Sequence, residues 1–75
     1  MQPYANRGGN SSVVAFEIGE DAITIQFQGG STYLYDYSLP GTAHVEQMKA
    51  LAIQGMGLSS YVNRHVRKAY AARLR

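Results

Sequence analysis

The first half of the chain shows a period of two in its hydrophobic residues, which is typical of β-strands. One segment alternates from Val13 to Ile18, and a second, from Ile23 to Gln28, has one apolar and one polar face. A third segment, Tyr33 to Tyr37, carries a tyrosine at every second position. Short glycine-containing turns at 19–21 and 29–30 separate the segments. Because short turns join antiparallel strands, the pattern predicts a three-stranded antiparallel β-meander.

After Leu39-Pro40-Gly41 the period changes to about 3.6 residues, which is typical of α-helices. The first helix is predicted to begin between Pro40 and Thr42 and to end at Gly55, a natural C-cap. Its apolar stripe consists of Val45, Met48, Leu51 and Ala52. A second helix is predicted from near Leu58 to about Arg73. The expected fold is α+β, with the order β-β-β-α-α and both C-terminal helices packed on one face of the meander.

The chain has 75 residues, which is enough for one domain. Residues 1–10 lack periodicity and are predicted to be a flexible N-terminal tail, with residues 11–75 as the single domain. There is no cysteine, so neither disulfides nor thiolate zinc sites are available. No apolar run approaches the roughly 20 residues that span a bilayer, and no signal-peptide pattern opens the chain. We therefore expect a cytoplasmic protein without membrane contact.

Charge is distributed unevenly along the chain. Residues 64–75 contain five basic residues and no acidic residue, whereas residues 1–63 contain two basic and five acidic residues. Arg64, Arg67 and Lys68 have the spacing i, i+3 and i+4, which places them on one side of a helix. This basic cluster suits contact with phosphate groups, while a solvated helix end is the alternative interpretation.

Alternation places Tyr33, Tyr35 and Tyr37 on one face of the third strand, and we call these residues the tyrosine row. If the row is exposed, the three rings can stack nucleic-acid bases. If the row faces the helices, its members belong to the core and Leu34 lies on the open face. The sequence leaves both arrangements open.

Residue types for catalysis are sparse. His44 and His65 fall on different predicted helices, without the spacing of a metal-binding pair. His65 lies on the apolar stripe of the second helix, where a half-buried structural residue is expected. No cofactor, metal site or enzymatic activity is predicted.

Several short motifs follow one another in a characteristic order: Ser11-Ser12, Ile18-Gly19, Ile23-x-Ile25-x-Phe27, Gly30, Tyr33-x-Tyr35, Leu39-Pro40, Ala52-x-x-Gly55 and Asn63-x-x-Val66-Arg67-x-x-Tyr70. This order resembles the KTSC domain, a module of roughly 60 residues with a central tyrosine pair. The family occurs at the C-terminus of some lysyl-tRNA synthetases and as small bacterial and phage proteins. Its function is not established, and RNA binding is the usual suggestion. The chain differs from the usual pattern at Glu20-Asp21, where the family often has an aromatic residue.

Carried over by the resemblance, the family's marks in this chain are Ser11, Ser12, Tyr33, Tyr35, Asn63, Arg67 and Tyr70. They suit either a binding site or a tertiary lock in which Arg67 pairs with Asp36 and Tyr70 packs over the third strand.

The leading hypothesis is a non-catalytic module that binds RNA, in which the tyrosine row stacks bases and Arg64, Arg67 and Lys68 hold phosphates. The alternative is a protein-interaction or homo-oligomerisation module that uses an open sheet face or strand edge.

Overall fold

A computed structural model describes residues 1–9 and 11–75 and shows an α+β fold with one antiparallel sheet. The strands lie in the sheet in chain order, β1 to β5. The elements are β1 (Gln2–Pro3), β2 (Val13–Ile18), β3 (Ala22–Phe27), β4 (Thr32–Asp36), α1 (Thr42–Gln54), α2 (Leu58–Tyr61) and β5 (Ala72–Arg73). A π-helical turn, Val62–Val66, continues α2 without a break. The α+β class and the antiparallel arrangement of β2, β3 and β4 are confirmed.

The helices cover one face of the sheet. In β3 and β4, Ile23 is opposite Tyr35 and Ile25 is opposite Tyr33, so these side chains share a face. The core joins them to the helices, and its most deeply buried side chains are Tyr35, Phe16, Ile23, Ile25, Met48, Leu58, Val45 and Val66. The predicted stripe of α1 is confirmed, because Val45, Met48 and Ala52 are buried and Leu51 packs against the core.

The first helix ends as its sequence predicts. Gly55 is the C-cap in the left-handed conformation, with φ of 77°, and its N–H bonds back to the Leu51 and Ala52 carbonyls. A side chain at Gly55 would also overlap Ala5, since a Cβ there would lie 2.6 Å from the Ala5 Cβ. Gly55 therefore both ends the helix and leaves space for the N-terminal segment to pack closely against it.

The second helix is shorter than predicted. Helical structure ends at Val66 rather than near Arg73, and the chain turns back along the sheet. Ala72 and Arg73 pair with Leu34 and Tyr33 as β5, and the Ala71 N–H donates to the Leu34 carbonyl at 2.7 Å. Alanine and arginine favour helix, but the unpaired edge of β4 offers backbone partners that outweigh this preference. Within the described residues the sheet therefore has five strands, not three.

Residues 1–10, the segment predicted as a flexible tail, contribute a strand to the sheet, although Asn10 lies outside the described residues. Gln2 and Pro3 pair with Phe16 and Ala15 as β1. Tyr4 is only 7% exposed, its ring meets Phe16 edge-on, and its hydroxyl accepts a hydrogen bond from the Leu58 N–H. A two-residue strand is too short to show a period in the sequence. The aromatic residue Tyr4 was the sequence feature that could have indicated order in this segment.

This packing predicts that Tyr4 contributes to stability. Replacing Tyr4 with alanine leaves a cavity beside Phe16, so we expect Tyr4→Ala to lower the free energy of unfolding by about 3 kcal/mol. Gln2→Ala, at an exposed position of the same segment, is the control and should change it by less than about 0.5 kcal/mol. Urea unfolding measures both. Equal, negligible effects would show that the N-terminal segment does not belong to the folded domain.

Candidate binding surfaces

The tyrosine row does not form an exposed stacking surface. Tyr35 faces the helices and is 1% exposed, so the prediction that it stacks bases is wrong. Tyr33 is half-buried, with Tyr70 and Phe27 at ring-centroid distances of 4.7 and 5.8 Å and the Arg73 guanidinium 5.6 Å from its ring. Its ring therefore already has aromatic and cationic neighbours. The row faces the core because the tyrosines supply more apolar area than Leu34 on the opposite face.

Tyr37 is exposed and connects β4 to α1. Its hydroxyl donates to Glu46 Oε2 at 2.6 Å, and Lys49 Nζ lies 2.8 Å from the same oxygen. Lys49 also donates to the Glu20 carbonyl. The hydrogen bond from Lys49, followed by that from Tyr37, lowers the pKa of Glu46, and the bond to Glu46 raises the pKa of Tyr37. These contacts give Tyr37 a structural role.

The basic cluster divides between two surfaces. Arg64, Arg67 and Lys68 are all exposed, but Arg67 lines a cleft against the sheet whereas Arg64 and Lys68 do not. The π-helical turn explains the division, since its wider winding changes which residues share a side. In the described part of the chain, the one ion pair joins Lys49 to Glu46, so none of the three cations of the basic cluster pairs with a carboxylate. The predicted ion pair between Arg67 and Asp36 is therefore absent from the described residues.

The cleft beside Arg67, which we call the β4 cleft, has a volume of about 260 Å³. It lies between the π-helical turn, the strands β3 and β4, and Ser12, the residue before β2. Its lining residues are Ser12, Phe27, Gln28, Ser31, Tyr33, Tyr35, Val62, Asn63 and Arg67. None of these nine residues is acidic. The cleft thus combines one cation, several neutral polar groups and apolar walls.

The Tyr35 hydroxyl opens into the β4 cleft. Burial, assisted by Tyr33 and Tyr70, raises the pKa of Tyr35 to about 12, so the hydroxyl keeps its proton at neutral pH. Among the described residues it makes no hydrogen bond, yet no fully buried polar side-chain atom lacks a partner. The hydroxyl oxygen is therefore accessible, and the β4 cleft is the space that Tyr35 lines.

Residues that carry the family resemblance surround this cleft. Ser12 and Ser59 share a hydrogen bond of 2.9 Å that ties β2 to α2, and Ser11 Oγ accepts from the Val13 N–H. The prediction that Tyr70 packs over the third predicted strand is confirmed by its contact with Tyr33. Asn63 is exposed and lines both the β4 cleft and a neighbouring cleft of about 290 Å³, whose other lining residues include Ser11, Ser59 and Ser60. The pattern thus includes tertiary contacts as well as cleft residues.

A third surface was missed in the sequence. His44, Tyr61 and His65 form an aromatic triad, with ring-centroid distances of 4.6 to 6.0 Å. The Tyr61 hydroxyl and His44 Nδ1 form a hydrogen bond of 2.6 Å. His65 is exposed rather than half-buried as predicted. The sequence feature that could have indicated this surface is the spacing i, i+3, i+4 and i+7, typical of one side of a helix, of Tyr61, Arg64, His65 and Lys68.

Comparison of the chain with protein-family models, curated proteins and solved structures found no match. The resemblance to the KTSC domain therefore stays a prediction from the sequence. Among the helices that the structure describes, none has the length and apolar character needed to cross a bilayer. The described residues also contain no group of three or more His, Cys, Asp or Glu side chains placed to hold a metal ion.

The raised pKa of Tyr35 predicts a loss of stability at alkaline pH. An unfolded tyrosine ionises near pH 10, whereas folded Tyr35 holds its proton until about pH 12. Its contribution is therefore complete below pH 10 and is lost as the pH rises toward 12. Urea unfolding between pH 8 and 11 should show the free energy of unfolding falling more steeply in the wild type than in Tyr35→Phe. Parallel pH profiles would contradict the buried position of Tyr35.

Proposed function

We propose that this protein is a small, non-catalytic module that binds single-stranded RNA on the outer side of its second helical segment. The observation that carries the proposal is the exposed ring of His65, which packs against Tyr61 and is directly preceded by Arg64. Unpaired bases stack on exposed aromatic rings, and neighbouring cations contact the phosphates. The aromatic residues that stack bases are therefore those of the triad, in place of the tyrosine row.

The electrostatics of this surface support an anionic partner. Arg64 and Lys68 are exposed and have no ion-pair partner among the described residues, so a phosphate can approach either without first breaking a salt bridge. The basic character of residues 64–75 and the resemblance to the KTSC domain favour the same class of ligand. Two phosphate contacts supply little free energy, so binding should be weak and salt-sensitive.

The salt dependence tests the role of the cations. In the double variant Arg64→Gln/Lys68→Gln, two phosphate contacts are lost, and the slope of log affinity against log salt should fall by about 1.4. The control is Arg7→Gln, which removes one positive charge from the N-terminal segment, where Arg7 Nε bonds the Gln54 carbonyl. Fluorescence anisotropy with a labelled, mixed-sequence RNA measures the slopes. The same slope in wild type and double variant would refute phosphate contact by these residues.

Stacking is tested at His65. His65→Ala removes a ring worth about 1–3 kcal/mol per stacked base, so affinity should fall by roughly tenfold. His65→Phe keeps an aromatic ring of similar size and should retain most of the affinity. His65 is exposed, so neither variant should unfold the protein. If His65→Phe binds as poorly as His65→Ala, the ring acts by some means other than stacking.

A second candidate function, self-association, is favoured by the sheet. The face away from the helices carries a group of half-exposed, uncharged side chains, Ala22, Thr24, Gln26, Leu34 and Ala72, with the acidic residues Glu17 and Asp36 beside them, opposite Thr24 and Ala22. A second copy could cover this face, and assembly would make the melting temperature rise with protein concentration. Sedimentation of the wild type and of Thr24→Lys, which places a charge on the face, distinguishes the two functions. A monomer at all concentrations would leave RNA binding as the function.

A further inference from the structure

We infer that the β4 cleft is a binding site for a phosphate monoester attached to a planar ring, the chemistry of a mononucleotide. The site is separate from the proposed RNA surface, because Arg64, Lys68 and the aromatic triad do not line the cleft. The inference therefore does not depend on RNA binding by the second helical segment. The same chemistry is offered by a free mononucleotide and by the phosphorylated end of an oligonucleotide.

The charge of the cleft selects an anion. Arg67 is the one cationic residue of the lining, no acidic residue shares the lining, and no carboxylate pairs with Arg67 in the described chain. A planar guanidinium presents paired donors that match two oxygens of a phosphate. A cationic or neutral apolar ligand would leave this group without a counter-ion. The cleft thus has a free position for one phosphate group.

The Tyr35 hydroxyl is a second, independent indication of a ligand. Tyr35 is 1% exposed and lines the cleft, and its hydroxyl makes no hydrogen bond to another described residue. A hydroxyl that keeps its proton is a donor, and its natural partner is an acceptor oxygen. Arg67 and Tyr35 therefore supply donors from opposite sides of the cleft, one from the helical segment and one from the sheet.

The remaining walls suit a planar ring with polar edges. Phe27 and Val62 are apolar, while Gln28 and Asn63 carry amides that both donate and accept hydrogen bonds. Amides of this kind recognise the edge of a base, and the apolar side chains cover its face. The volume of about 260 Å³ lies near the lower end of small-molecule sites and is of the order of a single nucleotide.

The experiment is a proton–nitrogen NMR titration of the full chain with uridine monophosphate, uridine, inorganic phosphate and a trinucleotide with or without a 5′-phosphate. We expect saturable shifts at Gln28, Ser31 and Asn63 with the monophosphate, at a Kd below about 1 mM. Uridine should bind at least tenfold more weakly. If only the phosphorylated trinucleotide saturates, the ligand is an RNA end. If the monophosphate binds equally well, a free nucleotide suffices.

Two variants and one control assign the site. Arg67→Gln should weaken binding of the monophosphate at least tenfold, and Tyr35→Phe, which keeps the ring in the core, should weaken it several-fold. Arg64→Gln, which removes an exposed positive charge three positions away, should leave it unchanged. Equal losses in Arg67→Gln and Arg64→Gln would show general charge attraction and overturn the inference. The absence of saturable shifts in the wild type at about 10 mM of both the monophosphate and the phosphorylated trinucleotide would also overturn it.

Discussion

The packing of Tyr35 into the core is the interaction on which the rest of the structure depends. It lies at the centre of the sheet face that the helices cover, opposite Ile23, and joins a core that includes Met48, Leu58 and Val66. This orientation turns the tyrosine row away from solvent and leaves Leu34 on the open face. It also brings the Tyr35 hydroxyl to the side of the π-helical turn, where the β4 cleft begins. A domain of this size has few other large side chains with which to fix its helices.

The π-helical turn determines which functional groups lie together. Val62 and Val66 anchor its inner side in the core. Arg67 and Asn63 line the β4 cleft, while His65 joins Tyr61 and His44 away from it. One short segment thus presents two different chemistries. On one side, a cation and amides line an open cleft, and on the other, the exposed His65 lies beside the exposed Arg64. π-Helical turns occur frequently at functional sites, and here the wider winding separates residues that a regular helix would group.

Much of the fold followed from periodicity, because β3, β4 and α1 each turn one regular face to the core. Strand β2 departs from strict alternation, since a register shift between Val13 and Ala15 lets it bury Val13, Ala15 and Phe16. The two-residue strands β1 and β5 were not predictable from periodicity. They are held by backbone pairing, which produces no alternation of apolar and polar side chains in the sequence. The ordered position of Tyr4 and the early end of the second helix were missed for the same reason. Among the candidate site residues, the positions of Tyr33 and Tyr35 on one strand were predictable, but the covered face was not, and Tyr37 lies just beyond the end of the strand. The aromatic triad escaped prediction because His44 comes from another helix, and its approach to His65 is a tertiary contact.

The outer side of the second helical segment is the surface proposed to bind RNA. The most direct test is a proton–nitrogen NMR titration of the wild type with a short, mixed-sequence, unphosphorylated RNA at low and moderate salt. The account predicts shifts that cluster at residues 61–68 and at His44 and that diminish as salt is added. Tyr37, which follows β4, and the open sheet face should remain unaffected. A flat titration at low salt, or shifts confined to the open face of the sheet, would contradict the account.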